Sequence, residues 1–215
     1  MSTCVNREIS CPHCGALKKT PMWSAVTADT DAELRVRILN ETLFNWKCPS
    51  CGYLAQLAYP CLYHDRARRF MVCISPRGDA LAKLNKEIPA ATRDVKKRAV
   101  GTLTEMKEKI LLFEAGLDDV AMEMVKLAIT SVLEKKWETK GIKAYFRSAD
   151  AESVDFAIYR PNAKEPIYQG TRLAAYDQAC AVLKDLQFRE GAGFLKGDRK
   201  LAQELLTAYR DQSAS

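Results

Sequence analysis

No stretch of this 215-residue chain comes near the ~20 consecutive apolar residues of a membrane-spanning helix. The opening residues, MSTCVNREIS, have no apolar run behind a basic start, so no secretory leader is read there. Low-complexity tracts are missing too, and 47% hydrophobic with 28% charged residues is the composition of a folded, water-soluble protein. The C-terminal half has no glycine-rich phosphate loop and no defensible pair of catalytic carboxylates, which removes the simplest nucleotide-binding and acid–base readings. Strong charge is lacking as well. The formal net charge is only +6. A bias this mild excludes a dedicated nucleic-acid binder and leaves room only for weak, electrostatic binding. With neither export signal nor anchor, the expected compartment is the cytoplasm, and no membrane contact is expected.

Cysteine, by contrast, is plentiful: eight residues in a chain expected to stay in a reducing compartment, where paired cysteines point to metal or redox chemistry rather than to disulfides. Four of them stand in two copies of one turn, CPHCG at 11–15 and CPSCG at 48–52. Two residues between thiolates let both sulfurs reach one ion at ~2.3 Å from a single loop, and the glycine accepts the positive φ of the exit. Two such turns close a tetrahedron without an open position, the structural kind of zinc site. Cys11, Cys14, Cys48 and Cys51 are therefore the expected zinc ligands, and Zn2+ the expected cofactor. CPHC is also similar to the tetrad of thioredoxin-fold disulfide oxidases, so a CxxC thiol–disulfide redox protein is a rival reading. Gly15 and Pro21 bracket a poor helix start, and a second copy has no role in that chemistry. His13, between two ligands, reads as an exposed turn residue, and Cys61 and Cys73 read as small core residues.

The 33 residues between Cys14 and Cys48 exceed the ~15–20 of a simple ribbon, so something is inserted. TPMWSAVTA reads as a strand, and DTDAELRVRILN as a helix capped by Thr30 or Asp31 with Leu34, Ile38 and Leu39 on one face. ETLFNWK, YLAQLAYP and RRFMVCIS are further strands, with LYHD as a polar turn between the last two. Past residue 78, GDALAKLNKEIPAATRDVKKRAVG mixes a short helix with Pro89 and the basic group Arg93, Lys96, Lys97 and Arg98, read as a solvated connection. Thr102 to Glu105 fits a capping box opening a helix striped by Leu103, Met106, Ile110 and Phe113. Asp118 caps a second helix with Val120, Met124, Leu127 and Val132 on its face. IKAYFRSAD, ESVDFAIYR and EPIYQG read as strands, and TRLAAYDQACAVLKDLQF and DRKLAQELLTAYR as helices.

Taken in order, CPHCG, DAELRVRILN, CPSCG, YPCLYHD and RRFMVCISP, over about residues 5–78, resemble the CpXC domain family, found mainly in bacteria. A weaker likeness continues over 107–129. The resemblance places the family's four cysteines on Cys11, Cys14, Cys48 and Cys51 and its Tyr-His-Asp motif on Tyr63, His64 and Asp65. It departs at Cys61, and it leaves the activity open.

The expected fold is α+β: a zinc-ribbon-like antiparallel sheet with one inserted helix over 1–88, a basic connecting segment over 89–101, and an α+β domain of helices on a small antiparallel sheet over 102–215. The expected function is a zinc-stabilised adaptor whose partner is a protein. Tyr63, His64, Asp65, Arg66, Arg68 and Arg69 are the candidate partner contacts, and Trp23 or Trp46 beside those arginines would instead offer a stacking platform to nucleic acid. The enzyme alternative puts an interdomain site near Tyr63-His64-Asp65, but no nucleophile accompanies it, so catalysis is not the expectation.

Overall fold

The computed structural model describes residues 1–77, 85, 86, 92 and 94–213. Pro89 and Arg93, assigned by sequence to the connecting segment, lie outside the described residues. The chain divides into two compact units, Met1–Lys107 with Ala192–Phe194, and Glu108–Gly191 with Leu195–Ser215.

The first unit holds strands β1 (Thr3–Ser10), β2 (Leu17–Thr27), β3 (Asn45–Lys47), β4 (Leu54–Gln56), β5 (Cys61–Asp65), β6 (Phe70–Ile74) and β7 (Lys96–Val100), with helix α1 (Ala32–Leu39) between β2 and β3. Five strands form one sheet in the order β1-β2-β5-β6-β7, and β3 with β4 forms a separate two-stranded ribbon. The α+β class holds, but the main sheet is mixed. β2 runs parallel to β5 and β6 parallel to β7, whereas β1–β2 and β5–β6 are antiparallel. Long crossovers cause this: the chain between Thr27 and Cys61, and that between Ile74 and Lys96, far exceed a hairpin turn, and parallel neighbours need such a connection.

Three local readings change with it. LYHD is not a turn between strands but most of β5, whose alternate residues Cys61, Tyr63 and Asp65 are buried. KKRAV is not a solvated link but the edge strand β7, paired to Phe70–Ile74 along its whole length. Lys97 and Arg98 are buried because their aliphatic stems pack while their heads reach carbonyls: Lys97 Nζ donates to the Thr92 and Val95 oxygens, and Arg98 Nη1 to Lys97 O at 2.9 Å. β1 gave no sequence signal, since its residues are mostly exposed; its full-length ladder with β2 forms the strand. Strand β6 is buried at every position, as its unbroken apolar run FMVCI requires.

The second unit contains most of α2 (Leu103–Glu114), then α3 (Asp119–Lys136), β8 (Lys143–Ala149), β9 (Ser153–Tyr159), β10 (Ile167–Arg172), α4 (Ala174–Asp185) and α5 (Arg199–Ser213). The three strands make an antiparallel sheet, β10-β9-β8. Val154, Phe156 and Ile158 alternate onto its fully buried face, in one core with Met122, Val125 and Leu133 of α3. The capping box is formed: Thr102 Oγ1 accepts from Glu105 N at 3.2 Å, and Glu105 Oε2 accepts from Thr102 N at 3.2 Å. Asp118 Oδ1 accepts from Val120 N and Ala121 N at the start of α3. Val132, expected on the apolar face, is 64% exposed, because a five-residue step from Leu127 turns it ~140° off the stripe.

Five charged side chains are buried together in this unit. Lys109 Nζ lies 2.8 Å from Asp119 Oδ2 and 3.1 Å from Glu123 Oε1, and Lys126 Nζ lies 2.9 Å from Glu123 Oε1 and 2.8 Å from Glu108 Oε2. The remaining Glu108 oxygen accepts from Phe146 N at 2.6 Å. Burial pushes Lys109 down, but the facing carboxylates of Asp119, Glu123 and Glu108 outweigh it and hold the ammonium well above its ordinary value. A lysine raised in this way stabilises the fold below its unfolded value of 10.5 and loses that contribution only at higher pH, so Lys109 is charged at neutrality. Removing one partner leaves a buried carboxylate uncompensated. Lys109→Met is expected to lower unfolding free energy by about 3–5 kcal/mol in urea denaturation. Lys200→Met, on the exposed pair with Glu204, should leave the midpoint where it is.

Candidate metal centre

Each CPXCG turn is the tip of a short antiparallel ribbon. β1 ends at Ser10, which pairs with Leu17, and β3 ends at Lys47, which pairs with Leu54. The six residues between each pair share one backbone plan. Gly15 N donates to Cys11 O at 2.9 Å, and Gly52 N to Cys48 O at 2.9 Å. Cys11 N donates to Ala16 O at 3.0 Å, and Cys48 N to Tyr53 O at 2.8 Å. Gly15 and Gly52 both occupy the left-handed region, at φ of 70° and 74°, where a side chain would be strained. The repeat in the sequence is thus a repeat of one knuckle.

The knuckles bring all four sulfurs within 4.8 Å of one another. Cys11 Sγ lies 3.7 Å from Cys51 Sγ, and Cys14 Sγ lies 3.8 Å from Cys48 Sγ. A tetrahedral ion bound at ~2.3 Å has sulfur–sulfur edges of ~3.8 Å, so the spacing fits a metal; a disulfide, at ~2.05 Å, is excluded. All eight cysteines are free. Within each knuckle the first cysteine is buried and the second exposed. The buried pair, Cys11 and Cys48, packs with Trp46, whose Nε1 donates to Thr20 Oγ1 at 3.0 Å. On the outside, the His13 ring stacks on Tyr53 at 5.6 Å between centroids, so the first knuckle leans on the flank of the second.

Electrostatics in the cluster are uneven. Burial pushes the Cys48 thiol up, yet hydrogen bonds from the Cys51 and Ser50 amides and from the Cys11 and Cys51 thiols outweigh it and bring it down to about 6. At Cys51 the Tyr53 amide pulls down, but burial and the sulfurs of Cys14, Cys48 and Cys11 push the thiol up to about 12. One thiolate is welcome there and several are not, unless a cation compensates them.

The other expected site residues separate into two groups. Tyr63 and Asp65 are fully buried and so are not partner contacts. Asp65 instead closes the β5–β6 turn, accepting from Arg68 N and Arg68 Nη1, each at 2.9 Å. His64 is half-buried, and burial together with Arg66 outweighs Asp29 and Asp65 to hold its imidazole below the ordinary value. Arg66, Arg68 and Arg69 are exposed on one turn, where Arg69, at φ 57°, reaches toward Asp94 at 3.5 Å. Neither tryptophan offers an open platform, since Trp46 is buried and Trp23 half-buried. Sequence reasoning missed the large apolar residues exposed at the knuckle bases, Leu17 (66%), Tyr53 (40%) and Leu54 (71%). Their position two or one past each knuckle glycine was the available signal. A further acidic grouping, Asp118, Asp119 and Glu190, is otherwise engaged, as Asp118 caps α3 and Asp119 neutralises Lys109.

The family model described as CpXC protein matches residues 9–126, more than half of the chain and all four cysteines. No curated protein and no solved structure matches.

Cys11→Ser and Cys48→Ser are each expected to lose the bound metal and to loosen residues 1–77, because metal binding and folding are coupled by about 10 kcal/mol in small thiolate sites. Cys73→Ser, removed from the cluster in β6, should keep one metal per chain. Elemental analysis with amide exchange on each variant distinguishes the two outcomes.

Proposed function

This chain belongs to the CpXC protein family, and on that premise we propose that it is a zinc-stabilised binding protein, its four-cysteine site structural and its partner another protein. The observation that carries this reading is the closed set of four sulfurs at tetrahedral spacing, supplied by two matching knuckles. Four thiolates select zinc or an iron–sulfur centre over hard cations, and a single tetrahedral ion suits the ~3.8 Å edges. Because every ligand position is filled by protein, such an ion holds the ribbons in place and does not activate water.

Binding is favoured over redox chemistry by the element on the C-terminal side of the first knuckle. A reactive CxxC thiolate is stabilised by a helix N-terminus, whereas here the chain enters strand β2. Binding is favoured over catalysis around His64 because Asp65, which would orient it, is turned inward onto Arg68. We place partner contact on the exposed knuckle bases, Leu17, Tyr53 and Leu54, with the Arg66–Arg69 turn as a second, polar contact. Exposed leucines favour a protein partner over nucleic acid, as does the mild net charge. No described helix is long and apolar enough to cross a membrane. A cytoplasmic setting is the one in which eight free thiols persist.

Elemental analysis of protein never exposed to chelator is expected to give one zinc per chain and no iron. Affinity capture of the intact chain from its own lysate should retain a protein partner after nuclease treatment. The Leu17→Ser/Leu54→Ser variant should keep its zinc and lose that partner. Retention of nucleic acid alone, or of the same partner by the double variant, contradicts the assignment.

A further inference from the structure

Within the second unit, α3, α4, β10 and one residue of α5 line an open cleft of about 460 Å³. It is unrelated to the knuckles and independent of the zinc-stabilised binding role. Its floor is apolar, with Met124 and Val125 each 3% exposed and Ala179 6% exposed. Ile129 and Val182 continue the two walls, and Val132 stands at the mouth, 64% exposed.

None of the thirteen lining residues is charged. With 28% of the chain charged, a random wall of that size would carry about three or four such side chains. The polar groups present are Gln169, Thr171 and Gln178; both glutamines are exposed and the threonine is half-buried, so hydrogen-bonding capacity gathers at the opening. The arrangement, an apolar interior with a few uncharged polar groups at one side, is that of a small-molecule site, and the volume lies within the ~300–1,000 Å³ such sites span.

We propose that this cleft binds a small, uncharged, mostly hydrocarbon molecule whose single hydrogen-bonding end faces Gln169, Thr171 and Gln178. Anions are disfavoured because no lysine or arginine lines the wall, and cations because no carboxylate does; burying either charge there would go uncompensated. The three side chains offer both donors and acceptors, so an alcohol, amide or ester end is equally well received.

The test uses the intact, metal-loaded protein and N-phenyl-1-naphthylamine, an uncharged apolar fluorophore with one N–H. Saturable binding at one probe per chain is expected. 1-Decanol should displace the probe, and decanoate at the same free concentration and neutral pH should not. Ala128→Trp fills the cleft from an exposed lining position, and Val132→Arg sets a charge at its mouth. Each is expected to weaken probe binding at least tenfold with an unchanged melting temperature. Absence of saturable binding, equal displacement by decanoate, or wild-type affinity in a folded Val132→Arg protein would overturn the proposal. So would a dimer that Val132→Arg dissociates in a protein that takes up no probe, since the occupant would then be a second copy.

Discussion

Four sulfurs within 4.8 Å form a repulsive arrangement as soon as more than one is ionised. Charges of one sign ~3.7 Å apart cost several kcal/mol per pair at the effective dielectric of a protein surface, and six such pairs exist in a tetrahedron. The first unit is arranged to sustain that arrangement. Two ribbons with identical hydrogen-bond plans deliver the thiols, and Trp46 packs the two buried cysteines from below. The amides of Ser50, Cys51 and Tyr53 supply partial positive charge. A metal cation held there would convert the repulsion into a strong cross-link between these short strands, two of which hold only three residues each.

The same requirement explains the sheet. The second knuckle must reach the first from outside the main sheet, and the β3–β4 ribbon does this as an excursion between β2 and β5. Once that excursion and α1 intervene, β5 returns beside β2 in the same direction. The parallel pairing of β2 with β5 is thus a consequence of where the second pair of thiols has to be carried.

How much of this could be read from the sequence depended on whether the signal was local. The CPXCG repeat, the Thr102–Glu105 capping box and the alternation of Val154, Phe156 and Ile158 are rules of spacing within a few residues, and each appears as expected. Val132 was misplaced by a local five-residue step, and the other misses are cases in which a distant partner decides. Tyr63 and Asp65 are buried because β6 and the Arg68 turn lie beside them, though the tripeptide alone looks like a polar loop. Lys97 and Arg98 read as solvated until Met71 and Val72 are seen paired opposite them. Glu108, Lys109, Glu123 and Lys126 drew no reading from the sequence, and only the ion pairs between α2 and α3 show why they are buried. Leu17 and Leu54 mislead in the other direction, apolar residues that the ribbons leave in water.

The buried chain of charges running from Asp119 through Lys109, Glu123 and Lys126 to Glu108 also restricts how this protein can change over generations. An apolar replacement of the whole set is energetically comparable to the ionic one, yet every single substitution on the way passes through an orphaned charge in the core. Lineages are therefore expected to keep all five residues or to exchange them in groups, and a lone replacement is tolerated only where another part of the core has already gained stability. The network acts as a ratchet on sequence drift in α2 and α3. The outward faces of the same helices are under no such linkage.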